Sequence, residues 1–113
     1  MNINIQSVRN NELTVVTLTG SLDVSGAIEI EAEIRRVANI RTDIAVDLSG
    51  VTFISSQGAR VLIIMCKAAA EKNRMLYLTG PKPQVRKVLG IMGIDKIMPI
   101  YDTVEEVGFP QRQ

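Results

Sequence analysis

The chain has 113 residues, enough for one domain that buries a single core. Hydrophobic residues make up 46% and charged residues 22%, and the net charge is +1 with no long run of one sign, so binding to nucleic acid or anionic membrane by bulk charge is not expected. There is no histidine and one cysteine, Cys66, which removes imidazole-based proton transfer and metal binding, the usual hydrolase triads and any internal disulfide.

Residues 2–9 alternate, with Ile3, Ile5 and Val8 set against Asn2, Asn4 and Gln6, which predicts a strand with one half-buried face. "RNNE" supplies an Asn-rich hairpin turn, and "LTVVTLTG" reads as the paired strand, ending at Gly20. A helix is expected next, with Ser25 as its N-cap and Ala27, Ile30, Ile34 and Val37 as its apolar stripe. Glu31 and Arg35 are placed as an i,i+4 pair on its solvated face.

"IAVDLSG" is a short apolar strand expected at the centre of the sheet. Beyond "FISS", the run "GARVLIIMCKAAAEKNR" predicts a helix of about four turns. Val61, Leu62, Met65, Ala68 and Ala69 are assigned to its core face, and Cys66 to the same apolar run. Arg60, Lys67 and Glu71 define the polar side, on which Ile63 is also placed. That isoleucine is either an isolated surface residue or a docking residue for a partner.

"MLYLTG" is a further strand, and "PKPQVRKVLGIMG" a helix opened by prolines, with Val85, Val88, Leu89 and Met92 as its stripe and Gly93 as its stop. "KIMPIYD" is a short extended piece and "TVEEVGF" a last helical turn. "PQRQ", residues 110–113, is a polar tail expected to be disordered. The order β-β-α-β-α-β-α-(β)-α predicts an α/β domain over residues 1–109, with a mixed four- to five-stranded sheet and helices packed on it. No signal peptide or membrane-spanning run is present, and the free thiol fits a cytoplasmic protein.

Two hydroxyls, Ser55 and Ser56, sit at the strand-to-helix junction. Their simplest role is helix capping. The same position also accepts a phosphate without unfolding the domain, because free N–H groups and the helix dipole favour an anion there. Chemistry at the residues leaves cap and switch both open. A nucleophilic role has no support, since no base lies nearby in sequence.

Three stretches, "LTGSLDV", "VDLSGVTFISSQGARVLI" and "LTGPKPQVRKVLGIMGIDKIMPIYDTVEEV", resemble the STAS domain of bacterial anti-sigma factor antagonists. The resemblance implies the STAS fold and a non-enzymatic switch. In that family the unphosphorylated domain binds an anti-sigma factor that is also a serine kinase, and so frees a sigma factor. The kinase then spends ATP to phosphorylate one serine of the antagonist, the complex dissociates, and a phosphatase restores it. The chain itself carries no cofactor on this reading.

The family tetrad Asp-Ser-Ser-Gly falls on Ser55, Ser56, Gln57 and Gly58. That makes Ser56 the phosphoacceptor, with Ser55 as the alternative, and replaces the family's acid by Ser55. The partner-facing set implied is Asp23, Ser25, Ser55, Gln57, Gly58, Arg60 and Ile63. A non-phosphorylated STAS scaffold or accessory subunit in a signalling, transport or lipid-trafficking complex is the alternative use of the same fold. Direct nucleic-acid contact and membrane insertion are not expected, and the state expected is a monomer or weak dimer.

Overall fold

A computed structural model describes residues 1–107. The proposed boundary at 109 and the tail 110–113 lie outside the described residues. The elements are β1 (Asn2–Val8), β2 (Leu13–Leu22), α1 (Val24–Glu29), α2 (Glu31–Ala38), β3 (Asp43–Ile54), α3 (Ser56–Glu71), β4 (Leu76–Thr79), α4 (Pro83–Ile91) and β5 (Ile100–Tyr101). Single 3-10 turns at Ile94–Lys96 and Val104–Glu106 flank β5.

The five strands lie in sequence order, β1-β2-β3-β4-β5. β1 is antiparallel to β2 and every later pairing is parallel, so β3 is the central strand. The β1–β2 hairpin turns through Arg9, Asn10 and Asn11, all at positive φ (52, 56 and 66). Asparagine tolerates that region better than most residues. Arg9 also reaches across the molecule and donates to the carbonyl oxygens of Val104, Glu105 and Val107, tying the hairpin to the C-terminal segment.

Alternation along the strands sorts the side chains onto two faces. Val16, Leu18, Val46, Leu48, Leu76 and Leu78 join one continuous core with Val37, Leu62, Met65, Val85 and Leu89 from the helices. Leu13, Ala45 and Tyr77 lie on the opposite face, in a smaller cluster closed by Val107 and Val104. The helices therefore pack on one face, and the 104–107 segment covers part of the other. No helix among the described residues is long and apolar enough to cross a membrane.

The structure corrects several expectations. Val8 joins the smaller cluster and not the Ile3–Ile5 face, since it lies three positions after Ile5 and strand periodicity is two. Gly20, at φ +113, does not end β2. The strand runs on to Leu22 with shifts in register against β3, while Met1 packs against the glycine. The helix predicted after Ser25 divides at Ile30 (φ −109, ψ 15) into α1 and α2, but the stripe survives, with Ile30 and Val37 buried. The Glu31–Arg35 pair forms at 3.5 Å between exposed side chains, where such a pair contributes a few tenths of a kcal/mol.

Candidate functional site

Two strand-to-helix junctions lie side by side. Leu22 pairs with Ile54 at the ends of β2 and β3, so the residues that follow, Asp23 and Ser55, open neighbouring loops. Both loops use the same local device. The Asp23 Oδ1 accepts the backbone N–H of Gly26 at 2.8 Å and caps α1. The Ser55 Oγ accepts the backbone N–H of Gly58 at 3.0 Å and caps α3. Each cap satisfies one of the orphan donors at a helix start.

The glycine three residues after each cap is a packing requirement. A Cβ on Gly58 would stand 1.8 Å from the Leu22 carbonyl oxygen, and a Cβ on Gly26 would stand 2.1 Å from the Ser21 carbonyl oxygen. The Ser55 N–H donates to that same Leu22 oxygen at 3.0 Å. The first turn of α3 is therefore seated directly on the β2–α1 loop, with backbone against backbone. Gly58 was expected to meet a partner; it is buried beneath the surface, and its role is to permit this approach.

The two serines are now distinguishable. Ser55 is half-buried and commits its hydroxyl to the cap. Ser56 is the first residue of α3, exposed, and its hydroxyl donates to the neighbouring Gln57 Oε1 at 3.3 Å. The cap expected of Ser56 is thus formed by Ser55. Ser25 likewise does not cap α1; it is exposed inside the helix, and Asp23 performs that task.

Asp23 is further fixed by Ser21, whose hydroxyl donates to Oδ2 at 3.1 Å. The Gly26 N–H, helped by the Ser21 hydroxyl, holds the Asp23 carboxyl below its ordinary pKa. The acid in this loop pair stays ionised on α1, while α3 begins with a neutral hydroxyl.

Arg60 is exposed one turn after Ser56. Ile63, placed on the polar side from sequence, is half-buried against the main core instead. Ile64 takes the exposed position, with 52% of its surface accessible. Helical rotation of about 100° per residue accounts for this. Measured from buried Leu62, Arg60, Lys67 and Glu71 cluster near about 160°, Ile64 lies at about 200° and Ile63 at only about 100°. Exposed apolar residues also flank the paired loops. Phe53 precedes the serines, and Val24 and Ile28 lie on α1. Alternation from buried Val51 would have buried Phe53, two residues on; the register shift between the Gly20–Val51 and Ser21–Phe53 pairs turns it outward, and periodicity carries no sign of that.

Among the described residues, no group of three or more His, Cys, Asp or Glu is arranged to hold a metal ion. Cys66 is a free thiol packed against the core, and burial pushes its pKa up, away from a reactive thiolate. A concavity of about 460 Å³ lined by Arg9, Arg41, Asp43, Arg74 and Tyr77 lies at the other end of β3, away from the serines.

The STAS domain family profile matches residues 4–107. An anti-sigma-B factor antagonist of Staphylococcus epidermidis is 26% identical over 106 residues, spanning 93% of this chain and 98% of the relative. An anti-sigma-factor antagonist (STAS) domain protein from Planctomyces limnophilus superimposes with a TM-score of 0.83 at 19% identity, covering 98% of each chain. The Bacillus cell fate determinant SpoIIAA in its phosphorylated form superimposes with a TM-score of 0.70 at 23% identity, covering 99% of this chain and all of that one. The mixed sheet, the helices on one face and the family match over nearly the whole chain agree: this chain belongs to the STAS domain family.

Proposed function

We propose that this chain is an anti-sigma factor antagonist whose binding surface surrounds Ser56, and that phosphorylation of Ser56 switches the surface off. The observation that carries the reading is the division of labour between the two serines. Ser55 holds the helix and is half-buried, whereas Ser56 presents a hydroxyl with no backbone duty. Relatives that bear the antagonist name, and a fold shared with a protein solved in both unphosphorylated and phosphorylated forms, support it.

The unphosphorylated surface is neutral at Ser55, Ser56 and Gln57 and apolar at Phe53, Val24 and Ile64. An anti-sigma factor would pack over it and release its sigma factor. If that anti-sigma factor is a serine kinase, its bound ATP supplies the phosphoryl group, and this chain contributes only the hydroxyl. A phosphoserine at position 56 adds about −1.5 to −2 charges. The first N–H groups of α3 and the Arg60 side chain, at i+4, would hold that charge without disturbing the fold. A partner pressed on the same surface would have to strip water from a dianion, and its affinity falls. A phosphatase would then restore the first state.

The test combines the purified chain, ATP and the anti-sigma kinase encoded in the same genome, read by intact mass. One addition of about 80 Da is expected for wild type and for Ser55→Ala, and none for Ser56→Ala. Stoichiometric phosphorylation of Ser56→Ala, or none of wild type, overturns the assignment. Ser56→Asp should weaken kinase binding at least about tenfold.

A further inference from the structure

The two edges of the sheet differ in their protection. β5 has two residues, Ile100 and Tyr101, and offers little for another strand to pair with. β1 runs seven residues, Asn2–Val8, and among the described residues β2 is its one hydrogen-bonded neighbour in the sheet. Its register with β2 is unbroken from Asn2 opposite Thr19 to Val8 opposite Leu13, so no bulge twists it away. It holds no charged residue and no proline. Charges, prolines, bulges and brevity are the devices that keep an edge from pairing. β5 uses the last of them, and β1 uses none.

We infer that β1 is a self-association edge, pairing antiparallel with β1 of a second copy about a two-fold axis normal to the sheet. The centre of β1 is self-complementary in this arrangement, isoleucine meeting isoleucine and amide meeting amide. With Ile5 on the axis, Ile3 of one copy stands opposite Ser7 of the other, Asn4 opposite Gln6, and Asn2 opposite Val8. Residues that face each other then share a face of the sheet. Ile5, which packs toward the helices, meets its counterpart on the helix side, and Ile3 meets Ser7 there. Exposed Asn2, Asn4 and Gln6 meet polar or uncharged partners on the other side. Within residues 2–8 no charges are brought together. A two-fold axis in this direction also keeps the helices of both copies on the same side, so two five-stranded sheets continue as one.

The contact is small. Seven residues of strand give an edge about 23 Å long and about 10 Å thick, well under the ~800 Å² per partner of a standard stable interface. The dimer is therefore concentration-dependent. Because α3 and the Ser55–Ser56 junction lie beyond β2, on β3, association leaves them uncovered, and the inference does not depend on the function proposed above.

Sedimentation equilibrium from roughly 10 µM to roughly 1 mM tests it with the full chain. Wild type should pass from monomer to dimer over that range. The double variant Asn4→Lys, Gln6→Lys places lysines opposite lysines across the axis, and should raise the dissociation constant at least about tenfold while thermal stability stays within about 2 °C. Mixing it with Asn4→Glu, Gln6→Glu should restore dimers, all of them mixed. Wild type that stays monomeric at the highest concentration overturns the inference. So does a dimer that the lysine variant leaves unchanged, or charge-reversed chains that fail to pair.

Discussion

Replacing Gly58 by alanine sets two physical effects against each other with opposite signs. Gly58 lies in the first turn of α3, and helix propensity alone favours alanine by about 1 kcal/mol. The structure opposes it, because the added Cβ would lie 1.8 Å from the Leu22 carbonyl oxygen and 2.5 Å from its carbon. Both are backbone atoms, so no rotamer change relieves the contact, and the β2–α1 loop and α3 must part by more than about 1 Å. That parting strains the Ser55–Leu22 hydrogen bond, worth about 1 kcal/mol, and the Ser55 cap, worth about 1 kcal/mol. With about 1–3 kcal/mol for overpacking, and the propensity gain set against the total, the expected net destabilisation is about 3 kcal/mol. Urea unfolding followed by circular dichroism reads this as a midpoint lowered by about 2 M, for a slope of about 1.5 kcal/mol per M. Gly90→Ala is the control. Gly90 is also helical, but its nearest neighbour to a new Cβ is the Asp95 Oδ2 at 3.8 Å, so propensity should win and the midpoint should rise. A Gly58→Ala midpoint equal to or above wild type refutes the backbone-contact account of the site.

The division between the serines has its own stability signature. Ser55→Ala should cost about 1 kcal/mol, as loss of an N-cap does, while Ser56→Ala should stay within about 0.5 kcal/mol of wild type; equal losses in the same urea experiment would remove the distinction. Asp23 titrates below its ordinary pKa, so its ionised form stabilises the fold fully above the usual carboxylate range and progressively less as pH falls through the folded value. Wild type should accordingly exceed Asp23→Asn in stability near about pH 7, and the gap should narrow as pH falls below the usual carboxylate range. A constant difference between them across that range would show that the carboxylate charge is not what the Gly26 and Ser21 contacts recognise.

Most of the fold was legible because it rests on periodicity. The stripes at Val61, Leu62, Met65 and Ala69, and at Val85 and Leu89, lie on the core as their spacing implies, and the Asn-rich turn falls where positive φ is needed. What escaped was local geometry that periodicity does not encode. Ile63 and Ile64 are each three or four residues from both Arg60 and Lys67, and only the summed direction of the polar residues separates them. Ser25 and Asp23 are both good capping types, and the choice between them turned on which one finds Gly26 three residues downstream. The same spacing picks Ser55 over Ser56. A capping residue followed at the third position by glycine, occurring twice, was therefore the readable sign of both loops. The resemblance to a known family supplied the fold name and the proposed acceptor position, while the exposed, uncommitted hydroxyl of Ser56 emerged only from the geometry.

The paired caps also differ in what acid does to them. α1 is held by a carboxylate that can be protonated, and α3 by a hydroxyl that does not titrate. Acid below the ordinary carboxylate range would slacken the Asp23 loop while leaving the hold on the Ser56 helix unchanged. In relatives with aspartate at the Ser55 position, both walls of the surface would respond to pH together. Here they are decoupled, and the wall that carries the proposed acceptor, Ser56, is the indifferent one.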